Sequence, residues 1–202
     1  LSKTQLGTGR SFCDSCGNGR SFSQELVTML AQHATALREL RLAGNAMGAH
    51  GAEVMCQQNL IGARGRLRVL DLSDNQLGDV GVRAIVKKIC VKNSSSLVEL
   101  RLDSNFVTNK SCLVLCRLLS YNRTLRVLSL AWNAIHPAGG FELLRVLNSD
   151  EMKGTGLRTL DLSYNPFVVK ATHGHGPDDL RLARMLRQTS GHGMAFDNRV
   201  QV

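Results

Sequence analysis

A nine-residue pattern recurs along the chain and constrains its fold more than any other feature of the sequence. The pattern reads LxxLxLxxN, and its copies start at residues 37, 67, 97, 125 and 157. They end at Asn45, Asn75, Asn105, Asn133 and Asn165. Spacings of 28 to 32 residues between copies indicate a repeat protein, in which each unit buries its apolar side against the next one.

Each repeat is predicted to contain a short strand, a turn and a helix. Leucines at positions 4 and 6 of the pattern alternate with other residues, which predicts a strand with one buried face. The asparagine at position 9 offers both donors and an acceptor to the backbone groups of stacked turns. Apolar residues at helical spacing fill the gaps between copies: Val54, Met55 and Leu60; Val82, Ile85, Val86 and Ile89; Leu113, Leu115, Leu118 and Leu119; Phe141, Leu143, Leu144 and Leu147. We therefore expect an α/β solenoid with parallel strands on the concave side and helices on the convex side.

These copies resemble the leucine-rich-repeat family, in the long-repeat subclass typified by ribonuclease inhibitor, the NOD-like receptors and the GTPase-activating protein of Ran. The resemblance covers about residues 37–167. It implies a shallow horseshoe that acts as a non-enzymatic protein-binding scaffold through its concave face, without a cofactor. We expect such a module to work inside the cell, in the cytoplasm or nucleus, within a larger polypeptide or assembly.

The repeats predict one domain with an extension at each end. An N-capped helix is expected at about residues 23–36, ahead of the first strand. A helix that ends near residue 188 would complete the fifth repeat, so the repeat domain is predicted to span residues 21–188. Residues 1–20 and 189–202 show no apolar period and are expected to be flexible tails.

The positive charge of the chain bears on the class of partner. There are 25 Lys and Arg against 16 Asp and Glu, a formal net charge of +9. The excess is spread thinly over the repeats and only 4% of the residues are aromatic, whereas nucleic-acid grooves concentrate basic residues among stacking aromatics. The sequence therefore favours an acidic protein partner over nucleic acid. A regulator of a small GTPase and a ribonucleoprotein component remain as alternatives. No apolar run approaches the roughly 20 residues that cross a membrane.

The motif positions identify the side chains expected on the concave face and its rims. Position 5 alternates in charge, which predicts a ladder of cross-strand ion pairs. Position 2 is an arginine row, and position 8 brings aromatic residues together, as at many protein interfaces. The expected contact residues are Trp132, Tyr164, Arg41, Asp71, Arg101, Asp161, Arg38, Arg68, Arg126 and Arg158. The resemblance to ribonuclease inhibitor supports the two aromatics in particular. A solvated arginine rim, and a C-terminal loop that covers the aromatics, are the competing interpretations.

Metal binding and catalysis have weaker support in the sequence. Cys13 and Cys16 form a CxxC pair, but zinc requires two further ligands and none is nearby. The HGH sequence at residues 173–175 could hold a transition metal weakly, although a flexible loop explains it better. Cys112 and Cys116 lie one helical turn apart and are expected to pack in the core. No nucleophile motif or phosphate loop occurs, so the sequence predicts no enzyme.

Overall fold

The computed structural model shows strands and helices in alternation. It describes residues 37–57, 61, 66–90, 96–149, 156–168, 176, 181 and 184–185. The strands are β1 (Glu39–Arg41), β2 (Val69–Asp71), β3 (Glu99–Arg101), β4 (Val127–Ser129) and β5 (Thr159–Asp161). The helices between them are α1 (Gly48–Gln57), α2 (Gly78–Cys90), α3 (Cys112–Tyr121) and α4 (Pro137–Leu147). A 3-10 turn over Asn109–Ser111 leads into α3, and Pro137 occupies the first turn of α4, where its missing N–H has no intrahelical role.

The strands form one parallel five-stranded sheet in the order β1-β2-β3-β4-β5. Its register aligns the repeats position by position, so that the leucines at position 4 form one row. These leucines and those at position 6 are buried, while positions 3 and 5 lie on the opposite face, as the period of two requires. The predicted α/β solenoid with parallel concave strands and convex helices is confirmed.

Most of the apolar residues predicted for the convex helices are buried. Val54 and Phe141 are partly buried against the core, Leu113 is exposed, and Leu60 lies outside the described residues. Cys112, Leu115, Cys116 and Leu119 are buried at the helical spacing of i, i+3, i+4 and i+7, so core packing of the two cysteines is confirmed. The prediction for Leu113 is wrong, because this residue is 69% exposed. Leu113 lies one residue after Cys112, about 100° around the helix, and therefore points away from the buried stripe.

The asparagines of the repeats form a buried ladder along the solenoid. Asn105 Oδ1 accepts hydrogen bonds from the backbone N–H groups of Asn75 and Leu77 in the preceding repeat. Its Nδ2 donates to the carbonyl oxygens of Leu72 and Asp103. The same pattern is repeated by the asparagines at 75, 133 and 165. Each side chain thus joins two repeats through groups that water does not reach, which confirms the structural role predicted for this ladder.

A second connection between repeats is made by Asp79 in the first turn of α2. Its carboxylate accepts hydrogen bonds from Thr108 N at 3.0 Å, Thr108 Oγ1 at 2.7 Å and Ser111 Oγ at 2.6 Å. Burial raises the pKa of Asp79, but these hydrogen bonds and the nearby Arg83 outweigh it, so the net pKa is lowered. The ionised carboxylate therefore stabilises the contact between the second and third repeats.

Replacing Asp79 with asparagine is expected to lower the free energy of unfolding at pH 7 by about 1–2 kcal/mol, a modest loss because the carboxylate is partly solvated. A lowered pKa adds stability above the unfolded-state value of about 3.9, and that stability is lost as the pH falls through the folded-state value. Urea unfolding of both proteins at pH 7 and near pH 3 should show the difference shrink in acid. Asp74→Asn, at an exposed aspartate, is the control. If Asp79→Asn lowered the free energy of unfolding equally at both pH values, the stabilising role of the ionised Asp79 carboxylate would be contradicted.

Several sequence predictions concern residues outside the described part of the chain. These are the helix at 23–36, both tails, the Cys13 and Cys16 pair, and the HGH sequence at 173–175. Of the helix predicted to complete the fifth repeat, residues 181, 184 and 185 are described, and all three are helical. Among the described residues, no three His, Cys, Asp or Glu side chains are grouped to hold a metal ion. The helices of that same part are too short and too polar to span a membrane.

Candidate protein-binding surface

The side chains at position 5 form a row across the concave face, as predicted. The ion pairs that were predicted along this row are not found among the described residues. Arg41, Asp71, Arg101, Ser129 and Asp161 are aligned partners on successive strands. The arginines instead pair within their own strands: Arg41 Nη1 lies 2.7 Å from Glu39 and Arg101 Nε lies 2.6 Å from Glu99. Side chains two residues apart on a strand share a face, and the longer glutamates reach the guanidinium groups. The predicted cross-strand ladder is therefore wrong.

The aspartates of this face take their hydrogen bonds from nearby serines and backbone. Asp71 accepts from Ser73 N and Oγ, at 3.0 and 2.7 Å. Asp161 accepts from Ser163 in the same manner, at 2.9 and 2.6 Å. Their positions two residues before a serine allow this local turn contact without a basic partner.

A third aspartate, Asp103, was missed by the sequence reasoning. It accepts hydrogen bonds from Ser129 Oγ and Ala131 N in the next repeat. Burial raises its pKa against these hydrogen bonds, and the negative charges of Asp161 and Asp71 raise it further. Asp103 stands at position 7 of the motif, a column that the charge argument did not consider. The carboxyl ends of β2 to β5 therefore carry an acidic patch made of Asp71, Asp103 and Asp161.

Trp132 and Tyr164 form a stacked aromatic pair beside this acidic patch. Their ring centroids are 3.9 Å apart and their planes are inclined by only 10°. Trp132 remains 60% exposed and Tyr164 37% exposed. The pairing predicted from position 8 is thus present in the structure. The competing interpretation, in which the C-terminal loop covers the pair, concerns residues outside the described part of the chain.

The backbone at position 8 is left-handed in every repeat. Gly44, Asp74, Ser104, Trp132 and Tyr164 have φ values between 52° and 74°. Gly, Asp and Ser suit this conformation or tolerate it, whereas a bulky side chain there is strained. Since small residues serve the same turn elsewhere in the chain, the fold itself does not require Trp or Tyr. Strain that folding does not require points to a functional use of the two rings.

Phe106 is a further exposed aromatic that the sequence reasoning missed. It directly follows the asparagine of the third repeat, is 66% exposed, and has a φ of 57°. Ala46 and Gln76 share this position and its left-handed backbone. Comparing the residue after each asparagine across the repeats would have identified Phe106, because it is the only large aromatic side chain in a column otherwise held by Ala, Gln and Pro.

The arginine row lies at the amino-terminal ends of the strands, on the rim opposite the aromatic pair. Backbone hydrogen bonds connect position 2 from repeat to repeat: Arg68 N donates to Arg38 O, Arg126 N to Val98 O and Arg158 N to Arg126 O. Arg38, Arg68 and Arg158 are exposed. The Arg126 guanidinium is half-buried over Gly156, where an added Cβ would lie 1.2 Å from its Nη1. The row is therefore continuous in space except at Val98.

The fold, the asparagine ladder and the open face together define a leucine-rich-repeat solenoid. Two family models, both described as leucine-rich repeats, match residues 33–56, 67–86 and 121–144 and residues 156–181, respectively. Ribonuclease inhibitor from Sus scrofa is 30% identical over 177 residues, which covers 74% of this chain and 37% of that protein. NACHT, LRR and PYD domains-containing protein 5 from Homo sapiens is 42% identical over 77 residues, which covers 38% of this chain and 6% of that protein. The chain is therefore a leucine-rich-repeat protein that is similar to ribonuclease inhibitor.

Solved structures share the architecture at low sequence identity. The Leiomodin-1 Actin-Binding Site 2 structure has a TM-score of 0.59 and 15% identity, and the match covers 86% of this chain and 92% of that one. The C-terminal domain of tropomodulin from Caenorhabditis elegans has a TM-score of 0.55 and 13% identity, and covers 85% of this chain and 95% of that one. These likenesses concern the fold alone. The chain also spans little more than a third of the porcine inhibitor.

Proposed function

We propose that this chain is a non-enzymatic scaffold that binds a protein partner through its concave face and rims. The observation that carries the proposal is the exposed Trp132–Tyr164 stack, held in strained left-handed turns that the fold does not require. Paired aromatics offer a large contact area and lose little conformational freedom on binding. The family membership of the chain supports the same use, because stacked repeats create extended binding surfaces.

The partner surface should match the charges on either side of the concave sheet. The carboxyl ends of the strands carry the aromatic pair and the acidic patch of Asp71, Asp103 and Asp161, whereas the amino ends carry the arginine row. A partner that covers both rims needs an acidic region over the arginines, and that region would be separated from the group that meets the aromatics. This arrangement favours a folded protein over a uniformly charged polymer such as nucleic acid.

We further propose that the scaffold works in a reducing compartment, the cytoplasm or nucleus. Cys56, Cys90 and Cys112 are free cysteines in the described part of the chain. Burial raises the pKa of Cys56 to about 11 and that of Cys112 to about 12, so both remain thiols with little tendency to be oxidised. Free, buried thiols are common in intracellular proteins and rare in disulfide-built secreted ones.

Replacing Trp132 and Tyr164 together with serine is expected to weaken partner capture by about 30-fold or more, the loss typical of an aromatic hot spot. Tagged wild-type and variant chains would be used to isolate binding proteins from cells, with quantitative mass spectrometry of the bound fractions. Folding should be retained, because small residues occupy position 8 in the other repeats.

Tyr121→Ser is the matched control for this experiment, since Tyr121 is 66% exposed on the convex helix α3. It should capture the same proteins as the wild type. Equal capture by the Trp132 and Tyr164 variant would remove the aromatic pair from the interface. Equal loss in both variants would show that exposed aromatics bind proteins unspecifically.

A further inference from the structure

An open cleft lies where the first three strands begin, on the rim opposite the aromatic pair. It has a volume of about 370 Å³ and is lined by Arg38, Arg66, Arg68 and Ser96. Arg38 and Arg68 belong to the arginine row, and their backbones are joined by a hydrogen bond of 2.6 Å. Arg66 was not among the predicted contact residues, because it precedes the repeated motif. The structure places Arg66 among the residues that line the same opening.

The charge of this cleft is not balanced within the described residues. The ion pairs found there involve Arg41, Arg101 and Arg145 and none of the three cleft arginines. The carboxylates that follow most closely in sequence, Glu39 and Glu99, are bonded to Arg41 and Arg101. The sequence adds a second observation: residues 31–38, 58–68 and 91–98, which lead into the three strands, contain no Asp or Glu. Three arginines therefore line one opening, and the segments that lead into it contain no acidic residue.

The number of guanidinium groups indicates the kind of anion that the cleft would take. A single carboxylate carries one negative charge and two oxygens, whereas a phosphomonoester carries about −1.5 to −2 at pH 7 and three acceptor oxygens. Three arginines can each donate to a different oxygen of such a group, with the planar geometry that suits phosphate. The volume of the cleft leaves room for the peptide backbone beside the phosphorylated side chain.

We propose that the cleft of Arg38, Arg66 and Arg68 binds a phosphorylated serine or threonine of the protein partner. This inference rests on the proposed scaffold function and adds the chemistry of the partner at one rim. Nucleic acid fits the cleft less well, since the arginines form a short local group, with Val98 interrupting the row, and no exposed aromatic is among the residues that line it. Binding of a phosphorylated segment would make partner recognition depend on a kinase.

The probe for the test is a short peptide of glycine and alanine with one central phosphoserine, titrated into the ¹⁵N-labelled full chain. Shifts of the arginine Nε–H resonances should be largest for the cleft arginines. Arg66→Gln and Arg68→Gln should each lower the affinity for the peptide by about tenfold, the effect of losing one charge-assisted hydrogen bond. Arg117→Gln, at an exposed arginine on the convex helix α3 and outside the cleft, should leave the affinity unchanged. Thermal unfolding would confirm that each variant is folded.

The companion ligands in this titration are chosen to separate competing sources of the anion. A peptide with glutamate in place of phosphoserine should bind about tenfold more weakly, and inorganic phosphate should perturb the same resonances at higher concentration. The proposal is overturned by equal binding of the glutamate peptide or of free phosphate. Tighter binding of a single-stranded RNA or of phosphoinositide vesicles, an equal loss in Arg117→Gln, or no shift at all would also overturn it.

The cleft and the aromatic pair can fail independently. The variant with serine at positions 132 and 164 should still bind the phosphopeptide with wild-type affinity. If that variant loses partner capture while the phosphopeptide fails to bind, the scaffold proposal survives and the phosphate proposal falls. The opposite result would leave the cleft as a phosphopeptide site on a chain whose aromatic pair serves another purpose.

Discussion

Asn105→Ala is expected to lower the free energy of unfolding by about 3–5 kcal/mol, because each orphaned buried polar group costs about 1–3 kcal/mol. The side chain is fully buried in the middle of the asparagine ladder. Its removal leaves the N–H groups of Asn75 and Leu77, and the carbonyl oxygens of Leu72 and Asp103, without the hydrogen bonds that Asn105 supplies. Alanine has no polar atom to replace them, and a water molecule in the carboxamide-sized gap would recover only part of these hydrogen bonds. Urea unfolding followed by circular dichroism measures the loss.

Asn45→Ala is the control at the end of the described ladder. Asn45 Nδ2 donates to Leu42 O and Ala43 O within its own repeat, but its Oδ1 accepts no hydrogen bond from the described residues. Asn45 therefore makes no ladder contact to a preceding turn within the described residues, and the expected loss is about 1 kcal/mol. Equal losses at positions 45 and 105 would mean that asparagine stabilises its own turn only, and that the bonds between repeats contribute little.

The fold could be predicted because five repeats share the same sequence pattern and bury the same positions of it. Leucine at positions 4 and 6 in every copy identifies the buried face, and equal spacing aligns Leu40 with Leu70 and Leu100 in parallel register. The asparagine at position 9 follows the same logic, since a polar residue retained at a buried turn must satisfy backbone groups. Each prediction rests on a constraint that recurs in every unit.

The details of the binding surface were harder to predict because they differ from repeat to repeat. Arg41 had two acidic neighbours within reach, and the periodicity could not indicate that it would bond to Glu39 rather than Asp71. Leu113 was misplaced because the leucine spacing alone did not show that the buried stripe of α3 begins at Cys112. Arg66 lies outside the motif, so the motif gave no reason to place it beside Arg68. Local rotamers and helix phase, which sequence patterns do not encode, decide all three.

Phe167→Ala is the second substitution with a large expected effect, a loss of about 3–5 kcal/mol in the free energy of unfolding. Phe167 is fully buried in the fifth repeat. Its ring lies against Gly140 of α4, where an added Cβ would be 2.4 Å from Phe167 Cδ2. The glycine allows the ring to sit directly on the helix backbone and so joins the fourth and fifth repeats. Removal of the ring leaves a cavity that the surrounding leucines can fill only in part.

The contact between Gly140 and Phe167 can be tested with a double-mutant cycle. Alanine at an exposed helical position would stabilise α4 by up to about 1 kcal/mol relative to glycine, but Gly140→Ala alone is expected to destabilise by about 1–3 kcal/mol because its methyl group collides with the ring. In the Phe167→Ala background the ring is gone and only the Cβ of residue 167, 2.9 Å away, remains close. The cost of Gly140→Ala should then fall by about 1 kcal/mol or more, which urea unfolding of the four proteins resolves. Additive losses would show that the glycine is required for some reason other than the ring, and that the fifth repeat is held to α4 by different contacts.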